Sequence, residues 1–587
     1  LRHYVLAPQD DVVLRQAVQE IFGQDRLPHF DLGKTQFLLN FGADFLGTWV
    51  SPVSHSIGYG EFRQGSGRTR GTMVQVDPRF SMTAISADYW VPVKPGTEGL
   101  LALGIAREMI SDPELLPYLD GEAVNAFTGG VGVAALHNYT PESVASETGL
   151  TGYYGEEIAV KKIHDLAKGF ATNRPSLAIG GDAAAASTNG LFNLSAIYAL
   201  NYLVGSVGAE GGVQFTPPSP IEGIPDTATG ASLTHWQEVA SRLENGLVSL
   251  VITRGANPVH GLPGAVNFQS ALQNAGFIVS FASVMNDTSA LADLILPEHT
   301  AMESWGDDLP DPGPGYQVVG VQQPVVRPVY NTRAFGDVLL AVAPEISTDL
   351  ADALPWHNMQ EVIKDGARRL FEMNRGSVKA PNFDSFWSGV LQRGGWWDVN
   401  ATSRGTTSTG PKFGDEVKRP SFAGSASEYP FHLMPFRTLG LLDGRNAHLP
   451  WLQATPDPTT TGVWDTWVEI NQKEAIRLDI MEGDVVILES PSGSIEVIAY
   501  PSPAAPPNVL AVPVGQGHTT FGRYAENRGA NPIRVLALEK DEVGGLAWAA
   551  TRVRIKKTDR RARMVKFEGM VPAIQMEEMP VIQVTSH

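Results

Sequence analysis

The sequence predicts an α/β protein in which two related parallel-sheet, nucleotide-binding-like units precede a C-terminal β-barrel. Three observations predict it. The first is an internal echo. An apolar strand pattern, Gln36 to Phe41, runs into Gly42-Ala43-Asp44, and a second, Val248 to Arg254, runs into Gly255-Ala256-Asn257-Pro258. Each is followed by another strand pattern and an Ala-Asp pair, Ala87-Asp88 in one case and Ala292-Asp293 in the other. The spacings nearly agree: Gly255 lies 213 residues after Gly42, and Asp293 lies 205 after Asp88. Glycine just past a buried strand lets the backbone turn tightly and approach a ligand. The second observation is that strand and helix patterns alternate up to about residue 300, the signature of crossover units in a parallel sheet. The third is a run of short β-rich segments after residue 428, punctuated by Gly483-Asp484 and Ser492-Gly493. Such texture reads as a small barrel.

A chain of 587 residues is too long for one core. The boundaries expected are 1–175 and 176–345 for the two α/β units and 346–427 for a helical segment with a polar linker. A barrel over 428–555 and an extended tail over 556–587 complete the chain. In the first unit Val74 to Arg79 reads as the second strand, and Leu100 to Ile110 as a helix after the Pro95-Gly96-Thr97 turn. Leu177 to Gly181 reads as a further strand ending in glycines. The stretch Leu191 to Val207 is apolar but carries Asn193, Ser195, Asn201 and Ser206, which would be costly against lipid, so it reads as a buried helix and no span is expected. Asp307 to Pro328, rich in Pro, Gly and Gln, reads as an irregular excursion. In the barrel, Trp467 to Ile470, Asp484 to Glu489, Ser494 to Tyr500 and Val509 to Val512 read as strands. Lys556 to Lys566 is basic and Glu577-Glu578 acidic, a solvated extension that could dock onto a partner.

Apolar residues at 43% and charged residues at 18% describe a packed globular chain. The net charge of −19 opposes binding to nucleic acid. There is no cysteine, which excludes disulfides, thiolate metal sites and cysteine-ligated clusters within these residues. Leu1 is not an initiator methionine, so a processed or partial product is expected. Gly33-Lys34-Thr35 is not a phosphate loop, because residue 28 is Pro and the tripeptide precedes a strand. No G-x-S-x-G elbow or H-E-x-x-H helix occurs, and isolated histidines such as His299 read as packing residues. No catalytic or metal-ligating residue is therefore nominated. Asp77-Pro78-Arg79, just after a strand, could serve a ribose or base edge with the acid and a phosphate with the arginine, or simply form a turn with a surface pair. Gly515-Gln516-Gly517-His518 and Gly522-Arg523-Tyr524 follow a barrel strand and offer close backbone approach with polar side chains.

Taken together, the motifs LNFGADFL (39–46), VQVDPRFSMT (74–83), ADYWVPVKPGTE (87–98), RGANPV (254–259), ALADLILPEHTAME (290–303), RNAHLPWL (445–452), residues 467–483 and GQGHTTFGRYAENRGANP (515–532) occur in one characteristic order. The chain resembles the large subunit of the complex iron–sulfur molybdoenzymes, the molybdopterin oxidoreductases, over roughly residues 35 to 550. The resemblance implies a double-psi type barrel that closes over a bis-pterin cofactor with two guanosine tails. Carried over by position, Gly42, Asp44, Asp77, Arg79 and Glu98 would line one tail and Gly255, Asn257 and Asp293 the other. Asn446, Gly517, His518 and Arg523 would come from the barrel. Glu98 departs from the Asp common in the family. A larger departure is that 41 residues, none of them cysteine, precede Gly42, where the family carries an iron–sulfur domain and a Ser, Cys or selenocysteine ligand to molybdenum.

The wording FGADFL is similar to large subunits of alternative complex III and a related quinone reductase complex, whose pterin domain looks vestigial. The resemblance therefore implies a scaffold subunit of a quinol oxidoreductase in respiratory or photosynthetic electron transport, with no cofactor of its own and no autonomous redox activity. Its implied partners are a ferredoxin-like iron–sulfur domain or subunit, reached near His587, a multihaem cytochrome c subunit and quinone-binding integral membrane subunits. The implied location is peripheral, on the periplasmic face of the cytoplasmic membrane. The alternative is a catalytic molybdenum or tungsten bis-molybdopterin guanine dinucleotide reductase, similar to polysulfide or thiosulfate reductases, whose ligands lie outside these residues. A two-nucleotide-binding protein without redox function is a third reading.

Overall fold

The computed structural model describes residues 2–7, 11–64, 69–221, 230–403, 410–414 and 416–567. The first unit is built on a parallel sheet of β1 (Phe37–Phe41), β2 (Thr72–Val76), β3 (Tyr89–Val91) and β4 (Ser176–Gly180) in the order β3-β2-β1-β4. Phe37 is level with both Thr72 and Ser176, so β1 is central. Its five residues are buried on both faces, as a parallel sheet between helices requires. The chain leaves β1 to one side for β2 and returns to the other side for β4. That reversal opens a crevice at the C-terminal ends of the strands, where Gly42 and Gly181 turn.

Three helices fix this sheet. α1 (Glu98–Ser111) follows the Gly96 turn and ends before Asp112-Pro113, as a residue ahead of proline disfavours helix. α2 (Glu156–Thr172) buries Ala159, Ile163, Leu166, Ala167 and Phe170, a stripe at helical spacing. α3 (Gly190–Leu203) is apolar nearly all round and lies inside the unit. Its buried Asn201 answers a backbone need: Oδ1 accepts from Ala178 N at 2.8 Å and Nδ2 donates to Ala178 O at 2.9 Å. An amide pinned to a strand explains why a polar residue sits in this helix. No helix of the described residues is long and apolar enough to cross a membrane.

The boundary expected at 175/176 falls elsewhere, because β4 pairs with β1 and α3 shares one core with both. The first unit therefore continues to about Phe215, which still belongs to that core. The second unit has α4 (Leu233–Glu244) and a three-stranded parallel sheet of β5 (Val251–Arg254), β6 (Ile278–Phe281) and β7 (Leu294–Ile295). The stretch expected to be irregular contributes β8 (Gly306–Asp308) and β9 (Tyr316–Gln322). After α5 (Phe335–Ile346), the segment expected as helix plus linker supplies α6 (Met359–Glu372), α7 (Phe383–Arg393) and β10 (Gly395–Thr402). Strand β10 pairs antiparallel with β9, and these elements share a small core around Trp396 and Phe386.

The barrel is closed, in the order β11-β15-β12-β14-β13-β16, from β11 (Phe431–Phe436), β12 (Trp467–Asn471), β13 (Asp484–Ser490), β14 (Gly493–Ser502), β15 (Val509–Pro513) and β16 (Arg552–Arg561). Two of its pairings, β11 with β15 and β12 with β14, are parallel. Strand β16 overturns the tail expected from residue 556. Its basic residues meet the carboxylates of neighbouring elements: Lys556 with Glu489, Lys557 and Arg561 with Asp484, Arg560 with Glu496. Lys566 likewise reaches Glu482 at 2.6 Å. Most of the basic run is thus paired with carboxylates. Glu577, Glu578 and His587 lie outside the described residues.

Candidate functional site

The crevice of the first sheet faces the barrel, and together they line a narrow cleft open to solvent. Gly42 takes φ +70°, and a Cβ there would lie 2.7 Å from Ala184 N, so two strand-end turns approach each other only because this residue is glycine. The structure brings Gly42, Asp44, Asp77 and Arg79 together along the cleft. It adds Asp182, Arg437 and Trp548, which the sequence reading did not nominate. Asp182 follows Gly180-Gly181 after β4, the same strand–glycine–acid order as Phe41-Gly42-Ala43-Asp44. The signal is local, but the pairing of β4 with β1 places it in the first unit.

Each charged group in the cleft already has a partner. Arg79 donates to Glu469 of β12 through Nε at 3.2 Å and Nη2 at 2.8 Å, both residues being buried, and its guanidinium lies 3.4 Å from the Phe436 ring centre. Arg437 donates to Asp182 at 2.6 Å, and the other oxygen of Asp182 accepts from Asp44 N at 3.1 Å. Asp77 accepts from Gln75 Nε2 at 3.0 Å, Arg79 N at 2.9 Å and Ser81 Oγ at 3.2 Å. Burial nevertheless pushes its carboxyl up to about 7, because those donors only partly offset lost solvation.

Glu98 does not line the cleft. It is fully buried at the start of α1, where Asn193 Nδ2 sits 3.5 Å from Oε2 and Oε1 has no hydrogen-bond partner. Burial, with the Asp77 carboxylate nearby, raises it to about 8. A neutral acid at pH 7 tolerates this position where a carboxylate would not.

The residues expected at a second tail also sit apart from the cleft. Gly255 is exposed at φ +60° just past β5. Asn257 Oδ1 accepts from Thr288 N at 3.1 Å and Oγ1 at 2.7 Å, while its Nδ2 donates to Asp287 at 2.9 Å. Asp293 accepts from Ile278 N at 2.7 Å. From the barrel, Asn446 donates to Gly440 O at 3.2 Å, and exposed Arg523 lies against Tyr524. Gly517 packs against the backbone of Ala530 and Asn531, with a Cβ position 2.4 Å from Asn531 N.

His518 is different. It lies ring over ring on His260 of the second unit, 3.7 Å between centroids and 13° from parallel, and its Nδ1 is 2.7 Å from Asp287 Oδ2. The other oxygen of Asp287 accepts from Thr519 N at 2.7 Å, Thr519 Oγ1 at 2.8 Å and Thr520 N at 3.0 Å. These contacts hold the Asp287 carboxyl far below the usual range. Asn531 Nδ2 donates to His260 O at 2.8 Å. His260, Asp287 and His518 form one tight buried group. The stacked rings and the Asp287 contacts dock the second unit onto the barrel, and Nε2 of each histidine is left without a hydrogen-bond partner. No local signal marks Asp287 or His260 in the sequence, because the contact spans more than 200 residues.

Two further clefts continue the first. One shares Asp44, Arg79 and Arg437 with it, and the next, in the barrel mouth, shares Leu439 and Asp457 with that one. The result is a single groove from the first sheet into the barrel.

The comparisons with known proteins agree with this architecture. Residues 28–343 match the molybdopterin oxidoreductase family, and residues 452–541 match the molydopterin dinucleotide binding domain. The chain is 25% identical over 543 residues to the menaquinone reductase, molybdopterin-binding-like subunit, of Nitratidesulfovibrio vulgaris, covering 92% of this chain and 73% of that one. It is 23% identical to the arsenate respiratory reductase molybdopterin-containing subunit of a Shewanella species, covering 90% and 75%. It is 20% identical to the thiosulfate reductase molybdopterin-containing subunit of Salmonella typhimurium, covering 83% and 69%. Acetylene hydratase from Pelobacter acetylenicus superposes with a TM-score of 0.69 over 93% of this chain and 81% of that one at 16% identity, which shows the shared fold. A sheet-and-barrel groove with these sequence matches over more than half its length means that this chain belongs to the molybdopterin oxidoreductase family.

Proposed function

We propose that the chain is a molybdopterin-like scaffold subunit of a membrane-associated quinol or quinone oxidoreductase, of the alternative complex III type, without a working molybdenum site. The observation that carries this reading is the internal pairing of the cleft: Arg79 is held by Glu469 and Arg437 by Asp182. The family's cofactor carries pyrophosphates, and these residues do not fit such a group, since both cleft arginines are committed to carboxylates and three aspartates stand beside them. These 587 residues hold no cysteine. The similarity to the menaquinone reductase subunit over most of the chain supports the same reading. On it, electrons pass through iron–sulfur and cytochrome c partners at the periplasmic face of the membrane, and this subunit holds those partners in place. Metal and pterin analysis of the purified complex tests the proposal. We expect neither molybdenum nor tungsten at stoichiometric level; one metal with two pterins per chain would sink it.

A second reading is favoured by the matches to arsenate and thiosulfate reductase subunits. On that reading the chain is catalytic, with bis-molybdopterin guanine dinucleotide and its metal ligand supplied from residues beyond these 587. On it, Asp44 and Asp77 would be the residues to hold a guanine edge. The same metal and pterin analysis separates the two.

A further inference from the structure

The internal repeat holds at the level of single hydrogen bonds. Asp88 accepts from Met73 N at 2.8 Å and Asp293 accepts from Ile278 N at 2.7 Å, each carboxylate fifteen residues after its donor. The strand registers then superpose row by row: Leu39–Val74–Tyr89 in the first sheet corresponds to Ile252–Val279–Leu294 in the second. The two rows differ in what covers them. Leu39 and Val74 are 0% and 2% exposed and only Tyr89, on the short outer strand, is open at 61%, whereas Ile252, at the position of buried Leu39, is 46% exposed and Leu294 is 41% exposed. The neighbouring row, Leu250 and Phe277, is open as well. The opposite face of the second sheet, through Ile278, is buried in the core with α4.

An all-parallel sheet is normally covered on both faces. In the first unit the cover on the matching face is α2, whose Gly169 lies so close to Phe37 that a Cβ would fall 2.7 Å from the ring. Phe37 shares its face with Leu39, two residues along the strand. Among the described residues the second sheet has no counterpart of α2. Only its last row is roofed, where Phe335 at the start of α5 meets Phe281 and Arg254. Beyond Phe335, α5 exposes Leu339, Val342 and Ile346.

Charge narrows the occupant. Residues 230–354 hold four arginines and no lysine against thirteen Asp and Glu, a net of −9. Exposed Asp293 directly precedes β7, and exposed Glu345 lies on α5. We infer that the open face of the β5-β6-β7 sheet is an interface for a basic amphipathic helix of another polypeptide, standing where α2 stands in the first unit. Its apolar stripe would cover Ile252, Val279 and Leu294, and flanking Lys or Arg would meet the acidic border. The inference shares with the proposed function the expectation of partner subunits but not the statement about the cofactor, so a metal-loaded complex would leave it standing.

The test is photo-cross-linking in the intact complex, made by the cell that produces this protein. A benzophenone amino acid is placed at Ile252 or Leu294, with exposed Ile158 on α2 as the control position. The expected product joins either position, and not Ile158, to a Lys- or Arg-bearing peptide of one other subunit with apolar residues at helical spacing. In addition, Ile252→Asp with Leu294→Lys should lower recovery of that subunit at least about tenfold while the melting temperature of this chain alone is unchanged. Cross-links to residues 568–587 of the same chain, to a second copy, to lipid, or no cross-link above the control would overturn the proposal. So would full recovery of the subunit by the double variant.

Discussion

Arg79, just past a strand of the first sheet, grips Glu469 of the barrel through two nitrogens, with both residues buried and the Phe436 ring beneath the guanidinium. The pair joins two domains across 390 positions of sequence. Breaking a buried pair from one side strands a charge, whereas replacing both sides with apolar groups of similar volume is nearly neutral. Glu469→Ala should therefore destabilise the chain by about 3–5 kcal/mol, and Arg79→Met with Glu469→Leu should recover most of that loss. Urea unfolding of the parent chain and the two variants checks it. Equal losses in single and double variants would mean that the pair is not coupled.

Stability should fall between pH 6.5 and 8. Asp77 and Glu98, raised to about 7 and about 8 by burial, hold protons in the folded chain that the unfolded chain has released. Their contribution is complete below the ordinary carboxylate range and is lost as pH rises through the folded values. His260 and His432, lowered to about 3 by burial, act with the opposite sign. Their contribution is complete above the ordinary histidine value and is lost as pH falls from about 6.5 toward 3. Only the carboxyls act above pH 6.5. Glu98→Gln should flatten the decline in unfolding free energy over that window, and an unchanged slope would assign it to other groups.

Gly444 sits against the histidine stack at φ +103°, and a Cβ there would lie 2.9 Å from Nε2 of both His260 and His518. Gly444→Ala should cost about 1–3 kcal/mol from backbone strain, and more from the two contacts. Pairing it with His260→Ala should return part of the loss by vacating one contact. Thermal melts of the two variants decide this, and a single variant that melts like the parent would exclude it.

Asp287 gathers His518, Asn257, Thr519 and the Thr520 amide around one carboxylate. Asp287→Asn supplies an N–H where only acceptors are wanted and removes the charge, a loss of at least about 2 kcal/mol. The loss should be local, appearing as faster amide exchange at Thr519 and Thr520 with the rest of the barrel unchanged. Uniform exchange across the barrel would show instead that this contact does not define the dock.

The sequence by itself determined the elements whose burial pattern is local. Phe37 to Phe41, Val509 to Val512 and the polar-studded α3 each carry their periodicity in a few consecutive residues, and the glycines after β1 and β5 announce turns that only glycine makes readily. The grouping of Gly42, Asp44, Asp77 and Arg79 came from the resemblance alone, which also set Glu98 with them, and the structure leaves Glu98 out of the cleft. Tertiary structure decided the rest. Strand β4 reads locally like the opening of a second unit, yet hydrogen bonds to β1 claim it, and strand pairing partners are not encoded within a strand. The basic run 556–566 reads like a tail until β13 supplies its carboxylates. Arg79 could have faced phosphate, but the barrel brings Glu469 to it. Asp287 and His260 meet His518 only through folding. Electrostatic partners hundreds of residues apart act through space, so composition and spacing carry no record of them.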